Sequence, residues 1–140
     1  MTVRQSDLAR ALGTSEMSVH RLLKALHRNG RPLAVEDITL VFASTELQSL
    51  GLTCAVSIEM LTELKSEIRY VAKERSHRCW VIFVESDRYQ FRRAALTTTH
   101  LQSLIDAHPL SLVLPLHEIV HRAQERLAAM KPRLTCAEAA

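Results

Sequence analysis

The sequence predicts an α+β fold, in which an all-helical N-terminal part is followed by a small α+β lobe with a β-hairpin and a long C-terminal helix. Three observations lead there. Up to about residue 74, apolar residues recur at intervals of three and four between helix start and stop signals. From Cys79 onward the pattern changes to a compact apolar run and then to alternation, the mark of strands. Charge divides in the same sense. Residues 1–33 hold six basic side chains against two acidic ones, a balance of +4 that leaves −1 for the rest of a chain with net charge +3. The expected organisation is therefore residues 1–74, a lobe over 75–131 serving assembly or an effector or partner, and a flexible tail over 132–140.

Composition bounds the classes of function. At 140 residues with 47% hydrophobic and 24% charged content, the chain can bury a core and lies far from the regime of disorder. No apolar run approaches the roughly 18 residues needed to cross a bilayer, and Met1 to Asp7 lacks the apolar stretch of a signal peptide. The expectation is a soluble cytoplasmic protein with no membrane partner. Cys54, Cys79 and Cys136 are odd in number and widely spaced, so reduced thiols are expected, two in packed segments and one in the tail. With only 3 glycines and no phosphate-binding loop motif, nucleotide enzymes are disfavoured and no cofactor is expected.

Thr2-Val3-Arg4-Gln5 has the form of a capping box and predicts a helix from near Val3, with Leu8, Ala9 and Leu12 facing inward and Gly13 stopping it. Ser15 can cap a second helix from Glu16 to about His27, whose apolar stripe is Val19, Leu22, Leu23 and Leu26. Arg28 to Leu33 reads as a short basic loop around Asn29-Gly30 and Pro32. A third helix is expected from about Val35 to Leu50, burying Ile38, Val41, Phe42 and Leu47, and Gly51 closes it. The stripe Leu61, Leu64, Ile68 and Val71 predicts one helix from about Val56 to Lys73, fitted to a core or to a dimer seam.

In the lobe, Cys79 to Val84 and Tyr89 to Arg92 predict a hairpin turning at Glu85-Ser86-Asp87-Arg88. Thr97-Thr98-Thr99 can cap a helix to about Ala107, Leu110 to Leu114 reads as a short strand, and Leu116 to Met130 as the long amphipathic helix.

The first two helices, Q-S-D-L-A-R-A-L-G-T-S-E-M-S-V-H-R-L-L-K-A-L from Gln5 to Leu26, closely resemble the helix-turn-helix of DNA-binding regulators. Ala9 is small enough for a close helix crossing, Gly13 turns the chain, and Leu8, Leu12, Val19 and Leu22 fill the space between. The segment D-I-T-L-V-F-A-S-T-E-L-Q-S-L-G-L, Asp37 to Leu52, together with the short helix expected over Thr53 to Leu61, resembles the helices after the wing in MerR-type winged helix-turn-helix proteins. The likeness covers about the first 65 residues. It departs from the family in a shorter wing loop and in Arg21-Leu22-Leu23, where the family commonly has Arg-Tyr-Tyr.

The resemblance implies a bacterial or phage regulator of transcription that binds double-stranded DNA, commonly as a two-fold dimer, with the second helix in the major groove. The outward face of that helix would then carry Ser15, Glu16, Met17, His20, Arg21 and Lys24. Arg21 suits guanine, Glu16 a cytosine amino group and Met17 a thymine methyl. Ser15, Lys24, Arg28 and Arg31 suit phosphates. An αα-hairpin serving only protein interaction is the plainer alternative.

One motif points elsewhere. His117-Glu118-Ile119-Val120-His121 matches H-E-x-x-H, in which two histidines one turn apart bind Zn²⁺ and the glutamate is the general base of a small zinc metallopeptidase. The apolar stripe Leu116, Ile119, Val120, Ala123 and Leu127 predicts that His117, His121, Gln124 and Glu125 lie on the solvated flank. Gln124 stands where the extended zinc-protease motif has glycine, and His77, His100 and His108 have no metal-like spacing. The expectation is therefore no catalytic residue and no resident metal, with His117 and His121 as the only alternative ligand pair.

Overall fold

The computed structural model describes residues 2–28, 33–85 and 90–139, with side chains left undescribed at 85, 90, 91 and 131–139. The expected wing turn at Asn29 to Pro32 and the hairpin turn at Ser86 to Tyr89 lie outside the described residues. The fold is α+β: α1 (Gln5–Leu12), α2 (Glu16–Ala25), α3 (Val35–Ser49), α4 (Cys54–Glu63), α5 (Lys65–Lys73), β1 (Trp80–Glu85), β2 (Gln90–Ala95), α6 (Thr98–Ala107), β3 (Ser111–Pro115) and α7 (Leu116–Ala139). No helix among the described residues is long and apolar enough to cross a membrane.

Two compact units result, residues 1–64 with 122–140, and residues 65–121. The sequence placed the division at residue 74 and assigned the last helix wholly to the second part. In the structure the division falls between α4 and α5, and again within α7.

In the first unit the helices begin and end by local chemistry. The N-cap of α1 is Arg4, two residues beyond the expected Thr2, because the Asp7 carboxylate accepts from the Arg4 backbone N–H at 2.9 Å. A charged acceptor makes the stronger reciprocal bond, so Asp7 displaces Gln5 in that role. Val3 and Leu8, both buried, stand at the two positions of a hydrophobic staple. At the other end Gly13 adopts φ 65°, ψ 34°, and the Thr14 N–H reaches back to the Ala9 carbonyl at 3.0 Å. That bond closes a Schellman turn, for which glycine is the least strained residue.

The same turn recurs at the end of α2 without glycine. His27 has φ 58° and the Arg28 N–H meets the Leu23 carbonyl at 2.7 Å, so the helix stops at Ala25, before the expected His27. Helix α3 is the central helix: nine of its fifteen residues are buried, from Asp37 to Ser44 and again at Leu47. Its N-terminus repeats the device of α1, with the Ala34 N–H donating to Asp37 at 2.8 Å.

Helices α3 and α4 share a buried polar chain. Gln48 Nε2 donates to Ser44 Oγ at 3.1 Å, Ser44 and Ser57 hydroxyls lie 3.1 Å apart, and Ser57 Oγ donates to the Cys54 carbonyl at 2.8 Å. With the Ser57 proton committed to Cys54, Ser44 is the donor between the serines, and every buried oxygen is satisfied. Arg126 of α7 lies over the Phe42 ring at 4.7 Å and pairs with Glu46 at 3.6 Å, joining α7 to α3.

The single helix expected over Val56 to Lys73 is two. Leu64 leaves helical geometry at φ −100°, ψ 30° between α4 and α5, although no Gly or Pro marks the place. The break coincides with the passage from one unit to the other. All four stripe residues, Leu61, Leu64, Ile68 and Val71, are buried. Helix α7, expected to end at Met130, continues to Ala139.

The second unit is built on a three-stranded antiparallel sheet of order β2-β1-β3. Central strand β1 pairs Trp80 with Ala95 and Val84 with Phe91 on one side, and Trp80 with Pro115 and Val84 with Ser111 on the other. Its Val81, Ile82, Phe83 and Val84 are buried on both faces, as a continuous apolar run requires. Thr97 caps α6 by accepting from the His100 N–H at 3.1 Å.

Candidate nucleic-acid interface

Three residues, Gly13 to Ser15, join α1 to α2 in a tight turn. Leu8, Ala9, Val19, Leu23 and Leu26 are buried in the first unit, and Leu22 is half-buried at the margin. Packing one side of α2 inward forces its other side outward. Ser15, Glu16, Met17, Arg21 and Lys24 are exposed and His20 is half-buried, so these six lie on one helix as the spacing predicts. Met17 is 58% exposed, on the same face as Arg21 and Lys24.

Ser15 caps α2. Its Oγ accepts from the Ser18 N–H at 3.1 Å and lies 3.0 Å from Ser18 Oγ. The N-terminal turn of α2 also presents unpaired backbone N–H groups, a site of positive potential.

Arg28 does not join this face. Its guanidinium lies 3.5 Å from Glu36 and 3.5 Å from Asp37 in the first turn of α3, and its side chain is 19% exposed. Two carboxylates at the start of α3 thus hold the guanidinium for which the sequence suggested a phosphate contact. Arg28 comes directly after the His27 turn, so the ion pairs tie the end of α2 to the start of α3. Arg31 lies outside the described residues.

A further cation, Arg4, precedes α1. Its side chain is 77% exposed, 3.7 Å from Asp7, and it borders a surface depression with Thr2, Gln5, Ser6 and Glu16. That depression brings the start of α1 beside the start of α2.

The H-E-x-x-H stretch has a different setting from the one expected. His117 and His121 are each 5% exposed. His117 Nδ1 lies 3.0 Å from the Cys79 carbonyl oxygen and 3.1 Å from the Cys79 nitrogen, and the ring meets Trp80 edge-on at 5.3 Å. His121 Nε2 donates to the Val71 carbonyl at 3.1 Å, which fixes the proton on that nitrogen. The prediction of a solvated flank holds for Glu125, which is exposed, and in part for the half-buried Gln124, but fails for the two histidines, because each ring meets a buried backbone group. The two ring centroids are 6.4 Å apart, and among the described residues no group of three or more His, Cys, Asp or Glu is placed to hold a metal ion.

Of the thiols, Cys79 is buried as expected, whereas Cys54 is exposed at the first position of α4. Cys136 lies among the residues whose side chains are not described. Burial, with the Glu67 carboxylate adding to it, pushes the Cys79 thiol up to about 12. It is a packed thiol and a poor nucleophile.

No protein-family model matches the chain, and no curated protein matches it.

Proposed function

We propose that this protein is a sequence-specific duplex DNA-binding regulator of transcription, a MerR-like winged helix-turn-helix protein that acts as a homodimer with α2 in the major groove. The observation that carries the reading is the division of α2: Val19, Leu23 and Leu26 buried, Glu16, Met17, Arg21 and Lys24 exposed, on a helix entered through a three-residue glycine turn from α1. An exposed basic helix face of this kind suits a groove about 12 Å wide.

The chemistry of each group gives its role. Arg21 forks to guanine O6 and N7, Glu16 accepts from a cytosine amino group, and Met17 packs on a thymine methyl. Lys24 and the Ser15 hydroxyl contact phosphates. Arg28 sets the tilt of α2 through Glu36 and Asp37. The second unit serves assembly or binds an effector or partner.

Selection of bound sites from random duplex DNA at two salt concentrations tests this. The expected result is one enriched motif with two-fold related halves, spaced by about one helical turn. Recovery of unenriched sequence at both salts would remove the reading in favour of a helix pair that binds protein alone.

A further inference from the structure

We infer that β3 is a self-pairing edge, and that two copies of this chain join β3 to β3 about a two-fold axis into one six-stranded antiparallel sheet. The inference names the surface for the homodimer part of the proposal above and does not draw on its DNA part.

Strand β3 stands at one edge of the sheet, and among the described residues no strand pairs with its outer side. Natural edges are blocked by shortness, by lysine, proline or inward-pointing charge, or by bulges; in this five-residue strand proline stands only at the margins, Pro109 ahead of it and Pro115 as its last residue. Here the nine residues from His108 to Leu116, H-P-L-S-L-V-L-P-L, contain no Asp, Glu, Lys or Arg. The side chains beside this edge are strongly apolar and open: Leu112 is 57% exposed and Leu110 94%. Register places Leu112 across from Phe83 and Leu114 across from Val81, so Leu112 continues the apolar face that is buried in the middle of the sheet. That face runs to the rim and stops uncovered.

The strand fits a copy of itself. Its five residues centre on Val113. A two-fold axis there sets Val113 opposite Val113, Leu112 opposite Leu114 and Ser111 opposite Pro115. Residues opposite one another share a face, so Leu112 and Leu114 of both copies gather into one apolar cluster. Pro115, which has no N–H to give, falls at the end of the ladder where its loss matters least.

Charge selects this pairing over its rivals. The opposite edge, β2, carries Arg92 and Arg93, with Arg92 lying over the Phe83 ring at 5.8 Å. Pairing β2 with β2 would bring guanidinium groups of two copies together, while β3 with β2 would be head-to-tail and would not close. Pairing β3 with β3 opposes no like charges, closes at two copies and leaves the charged strands as the new edges.

Sedimentation of the full chain across a concentration series, with Leu112→Glu, a Leu96→Glu control and circular dichroism on each, tests the pairing. The wild type and the control are expected to be dimers. Leu112→Glu, changed at an exposed position, should keep its fold and associate roughly a hundredfold more weakly. As a second measurement, Val113→Cys in a Cys54→Ser, Cys136→Ser background should form a disulfide between copies on oxidation, since opposed Cα atoms would be about 4.5–5.5 Å apart. A monomeric wild type would remove both the pairing and the homodimer. A dimer that survives Leu112→Glu, or Val113→Cys that fails to cross-link, would overturn the β3 surface while leaving the homodimer standing.

Discussion

Two helical segments of this chain carry a short chemical signature, Ser15 to Lys24 near the start and His117 to His121 near the end, and their surroundings differ in kind. In the first, the buried side of the helix is wholly apolar, so its polar side chains stay in water and remain available to a partner. In the second, the two histidines are themselves buried, and their ring nitrogens face backbone groups at Cys79 and Val71. A motif's residue types set what chemistry is possible, while the packing decides whether that chemistry is free to act. Exposed groups can recognise; enclosed and satisfied ones hold the fold together.

If the second segment is structural, its removal should damage stability first. His117→Ala strips the Cys79 peptide of its partner and leaves a void beside Trp80. The expected cost is about 2–4 kcal/mol, read from the denaturant midpoint. Unchanged stability, or the loss of a stoichiometric zinc ion from the purified protein, would erase the contrast between the two segments.

The neighbouring thiol extends that contrast to pH. In the unfolded chain Cys79 ionises at its ordinary 9.0, whereas the folded state keeps the proton until about 12. Between those values the unfolded state binds fewer protons, so stability falls as pH rises, by about 1.4 kcal/mol per pH unit from this group. Comparing wild type with Cys79→Ala at about pH 8 and about pH 10 isolates the contribution. Equal pH dependence in the two proteins would rule it out.

A smaller effect is expected at the junction of α2 and α3. Arg28→Ala removes two partly exposed ion pairs, for about 1 kcal/mol in unfolding. The variant should remain folded, with α2 less firmly held.

Local chemistry was legible in the sequence. The Gly13 turn, the Ser15 cap, the inward stripe of α2 and the Thr97 cap of α6 all depend on neighbours within four residues. The β1 run was legible because a strand covered on both faces needs continuous apolar residues. The features that escaped are tertiary. Periodicity does not mark the break at Leu64, where the units divide; only the resemblance, with its short helix over Thr53 to Leu61, pointed to it. His117 looked solvated because its partner Cys79 is 38 residues away. The pairing of Arg28 with Glu36 and Asp37 required the end of α2 to meet the start of α3, which periodicity cannot report.

The proposal stands or falls on the outward face of α2 touching nucleic acid while Arg28 only positions it. The salt dependence of duplex affinity, measured on the selected site for wild type, Arg21→Ala, Lys24→Ala and Arg28→Ala, separates these roles. Lys24→Ala should lower the slope of log K against log salt by about 1, and Arg21→Ala should cost about 1–3 kcal/mol and relax specificity at one base pair. Arg28→Ala should weaken binding with the slope unchanged. Affinity that ignores salt, or that is unaltered by Arg21→Ala and Lys24→Ala, would show that α2 does not read DNA.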